Sequence, residues 1–360
     1  MKRRSFVALL GGSVSLAGTG AAESGASAAP LREKLDAIRR GHQVPALAGA
    51  RFGVNGLVRQ VVTGVRKVME CTRVTEKDCW HFGSMTKAMT ASLLATFVEQ
   101  GRLCWHDVLG DLIPDACSSA HASVRAITVL ELLQHRSGLP ANLLSWWVLP
   151  GADQREKILA LAAPPDGKPI VPGVFLYSNI GYVIAGHIAE KLEGRLWEEI
   201  IAERIFRPLK MTAGQGPAGA HQPWPHDSNG HPLPLAGPTA DNPPSLGPAG
   251  RVHATLTDYA LFAADHLRGA GGQPALLKSG SYQTLHRPDP GSHYACGWGI
   301  ADRPWAGGRV LTHTGSNNAN FSVVWLAPEK AFGVMAACNQ AGESAAKACD
   351  AACAMMIRGA

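Results

Sequence analysis

The chain has 360 residues, of which 46% are hydrophobic and 17% are charged. This composition is too apolar for a disordered chain, and it predicts a globular protein with a sizeable core. The net charge of +6 is spread along the sequence, so it forms no basic stripe of the kind that binds nucleic acid.

The first 28 residues are predicted to be a secretory signal peptide that is cleaved from the mature chain. Basic residues at positions 2–4 precede a weakly apolar run over 6–22, and small residues follow. The pair Arg3 and Arg4 resembles a twin-arginine export signal, with a Sec signal as the alternative. No later segment approaches the ~18 apolar residues of a transmembrane helix. We therefore expect a periplasmic or secreted protein without stable membrane insertion.

In chain order, the predicted elements are strands near both ends and helices between them. Hydrophobic spacing predicts a helix over 31–40 and two strands, 46–52 and 57–63, that are joined by an Asn-Gly turn. A helix over 84–100 is apolar on nearly every side, which is typical of a buried helix. Shorter helices are predicted over 128–135, 154–162, 179–192, 197–206 and 257–267. The C-terminal part is predicted to hold three strands and a last helix, 310–313, 321–326, 333–338 and 343–357.

This order predicts an α+β fold with two lobes. Residues 29–83 and 291–360 are expected to form an antiparallel sheet flanked by the terminal helices, and residues 84–290 an inserted, mainly helical lobe. That lobe includes a Pro-rich loop over 221–250, which either borders the cleft and sets specificity or is a variable surface loop. Ser84 lies where the chain passes between the lobes, and ligand sites tend to form in such clefts.

The eight cysteines allow disulfides in an exported protein. Short separations favour the pairs Cys71–Cys79 and Cys104–Cys117, with buried free thiols as the equal alternative. The sequence has no C-x-x-C or H-E-x-x-H motif, and we expect neither a metal nor a cofactor. Three histidines in the Pro-rich loop are evenly spaced, but no predicted helix or strand aligns them as metal ligands. They are His221, His226 and His231.

The clearest chemical motif is the tetrapeptide Ser-Met-Thr-Lys that begins at Ser84. Positions i and i+3 of a helix share one face, so the Ser84 hydroxyl and the Lys87 amine lie within mutual reach. A serine hydroxyl needs a base, and a lysine whose usual pKa of about 10.4 is lowered by desolvation can be that base. Ser344 and Lys347 have the same spacing, but only 16 residues follow Ser344, too few to contain the other catalytic groups.

Two further segments contain groups that an activated serine needs. The Tyr-Ser-Asn segment 177–179 combines a phenol, which can act as a general base beside a cationic lysine, with an amide that can hydrogen-bond a substrate carbonyl or Lys87. The His-Thr-Gly segment 313–315 ends a strand that can pair with an extended substrate, and its glycine leaves room for the approach. Taken alone, Tyr177 is more simply a core tyrosine and His313 an ordinary strand residue.

Together, the three segments resemble the serine penicillin-recognising enzymes, in the branch of class C β-lactamases, D-alanyl-D-alanine carboxypeptidases and family VIII esterases. The resemblance covers nearly the whole mature chain and includes segments 132–140, 205–211, 249–251 and 297–299. It implies a β-lactamase/transpeptidase-like fold and acyl transfer through a covalent acyl-serine.

The resemblance also implies a role for each site residue. Ser84 attacks a carbonyl carbon while Lys87 and Tyr177 share the proton transfers. The backbone N–H groups of Ser84 and Ser316 form the oxyanion hole. The other residues that contact the substrate are Asn179, His313, Thr314 and Gly315.

Two positions depart from the family pattern. His313 stands where most β-lactamases of this type have lysine, and a histidine with a pKa of about 6.5 is mostly neutral at pH 7. This departure favours the peptidase or esterase branch over antibiotic hydrolysis. Asn320 stands where the family often has glycine, which puts the turn and the access of substrate in question.

We therefore predict an exported serine hydrolase that acts on D-alanyl peptides or on small esters or amides. The alternatives are a class C-type β-lactamase and a non-catalytic peptidoglycan-binding relative, the latter disfavoured by three intact motifs. A conventional Ser-His-Asp hydrolase is disfavoured because no serine lies in G-x-S-x-G. The expected partner is a small-molecule or peptide substrate, including peptidoglycan-derived ones. The segment 145–147, Ser-Trp-Trp, is either a hydrophobic wall for the acyl group or ordinary packing.

Overall fold

The computed structural model describes residues 28–164 and 168–359. The predicted signal peptide lies outside the described residues, apart from Ala28, which begins the first helix. Within the described ranges, every helix is too short or too polar to cross a membrane.

The described residues form twelve α-helices and nine strands. The helices are α1 Ala28–Gly41, α2 Thr86–Glu99, α3 Leu109–Leu112, α4 Ala122–Arg125, α5 Val129–Leu133, α6 Ile158–Ala162, α7 Asn179–Glu193, α8 Trp197–Ile201, α9 Gly247–Gly250, α10 Leu256–Ala270, α11 Ser279–Leu285 and α12 Gly342–Arg358. The strands are β1 Ala46–Gly53, β2 Gly56–Gly64, β3 Trp80–His81, β4 Ala213–Gln215, β5 Val252–Ala254, β6 Gly299–Arg303, β7 Gly308–Ser316, β8 Phe321–Ala327 and β9 Phe332–Cys338.

Six strands from the two ends of the chain form one antiparallel sheet in the order β2-β1-β9-β8-β7-β6. The register places Leu47 of β1 opposite Cys338 of β9, so the N-terminal hairpin and the C-terminal strands share one sheet. Helices α1 and α12 cover one face, where Leu35, Ala348 and Ala352 are fully buried. This arrangement confirms the predicted α+β fold with an antiparallel sheet flanked by the terminal helices.

Helix α2 lies in the larger core on the other side of the sheet. Eleven of its 14 residues are buried, as its apolar sequence predicts, and it packs against α7 and α9. The helix does not begin at Ser84 as predicted. A 3-10 turn over Gly83–Met85 comes first, in which Met85 N–H donates to the carbonyl of Phe82, and Gly83 enters it with a left-handed φ of +48°.

Several short elements escaped sequence prediction. Strands β3, β5 and β4 form a second antiparallel sheet of two- and three-residue strands, which are too short to show alternation. Strand β6 and helix α11 were also missed. Helix α5 ends at Leu133 rather than at His135, because His135 has a φ of +59°. Of the two alternatives for the cysteines, the structure has free thiols: neither Cys71–Cys79 nor Cys104–Cys117 is bonded, and all eight cysteines are free, five of them buried.

Strand β7 packs against the turn that carries Ser84, and a glycine lies at the contact on each side. A Cβ atom on Gly315 would lie 1.8 Å from the carbonyl oxygen of Phe82, and a Cβ atom on Gly83 would lie 2.5 Å from the backbone nitrogen of Ser316. Only glycine permits backbones to approach this closely. The positions of Gly315 and Gly83 therefore set the distance between the end of β7 and Ser84.

We expect the substitution Gly315→Ala to destabilise the protein by about 1–3 kcal/mol, because the new methyl group must displace the Phe82 backbone. Urea unfolding followed by tryptophan fluorescence measures this effect. Gly280→Ala is the matched control, since a Cβ atom there meets nothing within 4 Å. Equal midpoints for the two variants would show that β7 and the turn are not in contact.

Candidate active site

The Ser84 hydroxyl and the Lys87 amine lie side by side at the start of α2. The distance from Lys87 Nζ to Ser84 Oγ is 3.0 Å. Lys87 Nζ also donates to Asn179 Oδ1 and to the carbonyl oxygen of Ala249, both at 2.7 Å. The second Ser-x-x-Lys pair differs, because Ser344 and Lys347 are exposed and Lys347 is paired with Glu343 at 2.8 Å.

The environment of Lys87 favours a neutral amine. The side chain is fully buried, and burial lowers its pKa well below the usual value. A neutral amine has two N–H donors and one lone pair. The oxygens of Asn179 and Ala249 only accept, so a neutral amine gives both of its N–H groups to them and turns its lone pair towards Ser84. Lys87 is thereby oriented to accept the Ser84 proton.

Tyr177 lies over the same amine. Its ring centroid is 5.0 Å from Lys87 Nζ. Burial raises the pKa of the phenol, and a hydrogen bond with Ser84 partly opposes that shift. The phenol therefore stays protonated at neutral pH. This geometry favours Lys87 as the base and Tyr177 as a proton donor, rather than the phenolate considered from the sequence.

Asn179, the first residue of α7, links the amine to a residue that the sequence reasoning missed. Its Nδ2 donates to Asn142 Oδ1 at 2.8 Å, so its Oδ1 is turned towards Lys87. Asn142 Oδ1 also accepts from Trp146 Nε1 at 3.2 Å. The only sequence signal for Asn142 was its place two residues after the segment 132–140, which is too weak to single out one amide.

His135 holds the Tyr-Ser-Asn segment in place. Its Nδ1 accepts from the Ser178 backbone N–H at 3.0 Å, and its ring lies 4.2 Å from the Tyr177 ring between centroids. Ser178 Oγ donates to the carbonyl of Pro140 at 2.7 Å and caps α7 by accepting from Gly181 N–H at 3.1 Å. The Tyr-Ser-Asn segment is thus fixed by hydrogen bonds from Ser178 to segment 132–140.

His313 faces inward from β7 with both ring nitrogens engaged. Its Nδ1 lies 2.6 Å from the Thr314 carbonyl, which can only accept, so Nδ1 carries the proton and Nε2 accepts from the Tyr294 hydroxyl at 2.9 Å. Burial and the nearby Lys87 lower its pKa to about 3, although the Thr314 carbonyl opposes this. His313 is therefore a neutral group. Tyr294 was missed, since nothing in the sequence marks it as a partner of residue 313.

The side chains of Thr314 and Ser316 are exposed on the same strand, whereas His313 and Gly315 are buried. Alternation along β7 therefore places the Thr314 and Ser316 side chains on the face opposite His313 and Gly315, where they are open to solvent. The Ser316 backbone nitrogen lies beside Gly83, which brings the backbones of Ser316 and Ser84 together.

The Pro-rich loop contributes to the site through Asp241. Gly83 N–H donates to His81 Nδ1 at 3.1 Å, and His81 Nε2 lies 3.1 Å from Asp241 Oδ1. Asn317 Nδ2 donates to the same oxygen at 2.9 Å. Burial acts to raise the pKa of Asp241, but His81, Arg251 and Asn317 lower it, so the carboxylate is ionised. This contact joins the loop to both sides of the Ser84 turn.

The turn after β7 accommodates Asn320 without strain. The left-handed residue is Asn318, with a φ of +65°, rather than Asn320. The Asn320 backbone N–H and Nδ2 both donate to Asn317 Oδ1, at 2.9 and 3.2 Å. A glycine is therefore not required at position 320.

No group of three or more metal-ligating side chains is clustered for a metal ion in the described ranges. His226 is buried and is hydrogen-bonded to Val68 N–H at 3.1 Å and to the Asn339 carbonyl at 2.8 Å. It therefore has a structural role in attaching the Pro-rich loop.

Comparison with known proteins places this geometry in a family. The profile of the family described as Beta-lactamase matches residues 31–352. The chain belongs to the β-lactamase family. Its members are serine hydrolases, so Ser84 and Lys87 lie in a hydrolase scaffold.

The chain is also similar to individual proteins in sequence, and to a solved structure in fold. Penicillin-binding protein 4 of Amycolatopsis lactamdurans is 29% identical over 330 residues, which cover 85% of this chain and 83% of the relative. The unguisins hydrolase ungD' of Aspergillus campestris is 25% identical over 304 residues, and the chain spans about half of its length (54%). The structure of the D-alanine carboxypeptidase AmpC from Burkholderia cenocepacia superimposes with a TM-score of 0.72 at 18% identity, covering 93% of this chain and 100% of that one.

The substitution Asn179→Asp tests the state of the amine. A carboxylate 2.7 Å from Nζ raises the pKa of Lys87, so the amine is charged at neutral pH and its lone pair is lost. We expect kcat/KM on p-nitrophenyl butyrate at pH 7 to fall by about 100-fold or more and to recover as the pH rises.

Asn179→Ala is the control, because it removes the acceptor without adding a charge. In the pH–rate profile of Asn179→Ala, the acid limb should stay at the same pH as in the wild type or lie lower. A pH–rate profile of Asn179→Asp that parallels the wild type would contradict a neutral Lys87.

Proposed function

We propose that the protein is an exported serine hydrolase that forms an acyl-enzyme at Ser84. The observation that carries this proposal is the buried Lys87 amine, whose two N–H groups are taken by Asn179 and Ala249 while its third position faces Ser84 Oγ at 3.0 Å. A surface or purely structural lysine has no need of such an arrangement. A nucleophile beside an oriented, uncharged base is what acyl transfer requires.

In the acylation step, Ser84 Oγ forms a bond to the carbonyl carbon of the substrate and its proton passes to Lys87 Nζ. The carbonyl oxygen becomes an oxyanion, which the backbone N–H groups of Ser84 and Ser316 stabilise. When the carbonyl re-forms, the bond to the leaving group breaks. Tyr177 donates its proton to the leaving group and regains one from the Lys87 ammonium, so both return to neutrality.

In deacylation, a water molecule attacks the acyl carbon and gives its proton to the same neutral pair. The bond from Ser84 Oγ to the acyl carbon then breaks. Ser84 recovers a proton from the Lys87 ammonium, and the carboxylic acid leaves. Deacylation is therefore the reverse of acylation, with water in the place of the leaving group.

The favoured substrates are D-alanyl peptides and small esters or amides. The names of the penicillin-binding protein and the D-alanine carboxypeptidase support the first class by analogy. The neutral His313 supports uncharged esters and amides, because it offers no fixed cation to a substrate carboxylate. A class C-type β-lactamase is the second candidate and rests on family membership.

We propose export through the signal at residues 1–28, which places the enzyme in the periplasm or outside the cell. Peptidoglycan-derived peptides are then accessible substrates. A non-catalytic binding role is disfavoured, because a binding protein does not need the proton acceptor that Lys87 presents to Ser84.

The acyl-serine proposal predicts that Ser84→Ala abolishes covalent labelling by a fluorescent fluorophosphonate or penicillin, because the variant lacks the hydroxyl that lies 3.0 Å from Lys87 Nζ. Intact-mass spectrometry detects the adduct. Ser344→Ala is the matched control, since its Ser-x-x-Lys pair is exposed, and it should label like the wild type. Persistent labelling of Ser84→Ala would overturn the proposal.

The neutral His313 predicts weak activity on β-lactams. A missing charge-assisted hydrogen bond to the carboxylate is worth about 1.5–3 kcal/mol, so kcat/KM for nitrocefin should lie roughly 10- to 100-fold below the value that a cation at position 313 would give, and below that for p-nitrophenyl butyrate. Steady-state rates on both substrates, measured on one preparation, provide the comparison. Nitrocefin turnover equal to or faster than ester turnover would instead favour the β-lactamase candidate.

A further inference from the structure

Exposed apolar side chains are concentrated next to the candidate site. The described residues include eleven large hydrophobic side chains that are exposed, and seven of them lie on two short segments, 144–148 and 171–176. Scattered exposed apolar residues are ordinary, but a concentration of them marks an interaction surface. The seven are Leu144, Trp147, Val148, Val171, Val174, Phe175 and Leu176.

The first segment is tied to the reacting groups by hydrogen bonds. Trp146 Nε1 donates to Asn142 Oδ1 at 3.2 Å, and Asn179 Nδ2 donates to the same oxygen at 2.8 Å. Asn179 accepts from Lys87 at 2.7 Å. The backbone N–H of Asn179 also donates to the Ala141 carbonyl at 2.8 Å. Segment 144–148 therefore lies beside the groups that orient the lysine.

The second segment leads directly into Tyr177. Leu176 N–H donates to the His135 carbonyl at 2.8 Å. The Phe175 ring lies 5.9 Å from the rings of both His135 and Tyr294, between centroids, while 38% of the side chain stays exposed. Packing inward does not account for the remaining exposed area. Both segments thus present apolar surface at the edge of one site.

Among the described residues around the site, His313 is neutral and the arginines are paired with carboxylates, so none of them offers an unpaired charge to an ionic substrate group. His313 has both nitrogens engaged, by Thr314 and Tyr294. Arg251 is paired with Asp241 at 3.3 Å, and Arg136 is paired with Asp289. An apolar group bound beside Lys87 would also preserve the desolvation that keeps the amine neutral.

We propose that segments 144–148 and 171–176 form an apolar acyl-binding surface, which selects substrates with an uncharged hydrocarbon acyl chain or side chain next to the scissile carbonyl. This proposal rests on the acyl-serine function proposed above and adds the substrate class. Trp147 and Val174 are the specificity-determining side chains, since neither is held by a side-chain hydrogen bond within the site and both are substantially exposed, at 41% and 68%.

The test compares kcat/KM for p-nitrophenyl hexanoate and p-nitrophenyl acetate. Each buried methylene is worth about fourfold in binding, so partial cover of the four extra methylenes should give a hexanoate preference of about tenfold or more. Trp147→Ala and Val174→Ser should each reduce the hexanoate-to-acetate ratio by about three- to tenfold. Val58→Ser is the matched control, because Val58 is 67% exposed on β2, outside both segments, and it should leave the ratio unchanged.

The outcomes separate this proposal from the acyl-serine function. If Ser84 is labelled by a fluorophosphonate but the ratio is near one, or both variants leave it unchanged, the apolar surface is overturned and the acyl-serine stands. If Ser84 is not labelled and neither ester is hydrolysed, both proposals are overturned. A ratio unaffected by the variants, together with a dimer that Trp147→Ala dissociates in light scattering, would assign the surface to a second copy instead.

Discussion

The site depends on one constraint, the burial of the Lys87 amine without a carboxylate partner. An isolated buried cation is costly, and the group loses its proton instead. The neutral amine still needs acceptors for its two N–H groups. Asn179 and the Ala249 carbonyl supply them at 2.7 Å, and these two contacts leave the lone pair for Ser84. A displacement of either acceptor would turn the lone pair away from the serine, so much of the surrounding structure serves to hold them.

The Ala249 carbonyl belongs to α9, a four-residue helix that is too short to be stable alone. Its neighbours fix it. Thr90 of α2 donates to the Pro248 carbonyl at 2.7 Å. Arg155, which is 1% exposed, binds Glu190 and Glu198 and donates to the carbonyls of residues 244 and 245. Removing one member of a buried ion network leaves an unpaired charge and costs about 3–5 kcal/mol. The network therefore connects the stability of the helical region to the orientation of Lys87.

The sequence was sufficient for five of the six strands of the main sheet, for the long helices and for the segments that carry Ser84, Lys87, Tyr177 and His313, because regular periodicity and side-chain chemistry are local properties. It was insufficient for Ala249, whose part in the site is a backbone carbonyl that any residue has. Asn142 and Tyr294 escaped for a related reason, since their significance is a contact with residues 37 and 19 positions away. The short strands of the second sheet were missed because two or three residues show no alternation.

The protonation states have a common consequence for the proposed reaction. Before substrate reacts, burial lowers the pKa of Lys87 and of His313 and raises that of Tyr177, so all three side chains favour their uncharged forms beside Ser84. Proton transfer from Ser84 creates an ammonium and an oxyanion together. Their attraction, and the backbone donors aimed at the oxyanion, exist in full only at that stage, which is the condition for lowering the barrier rather than tightening ground-state binding. A permanent lysine at position 313 would add a cation in the resting state. A neutral histidine at position 313 adds no cation, so charge develops beside Ser84 only in the transition state. Such a site suits an apolar substrate.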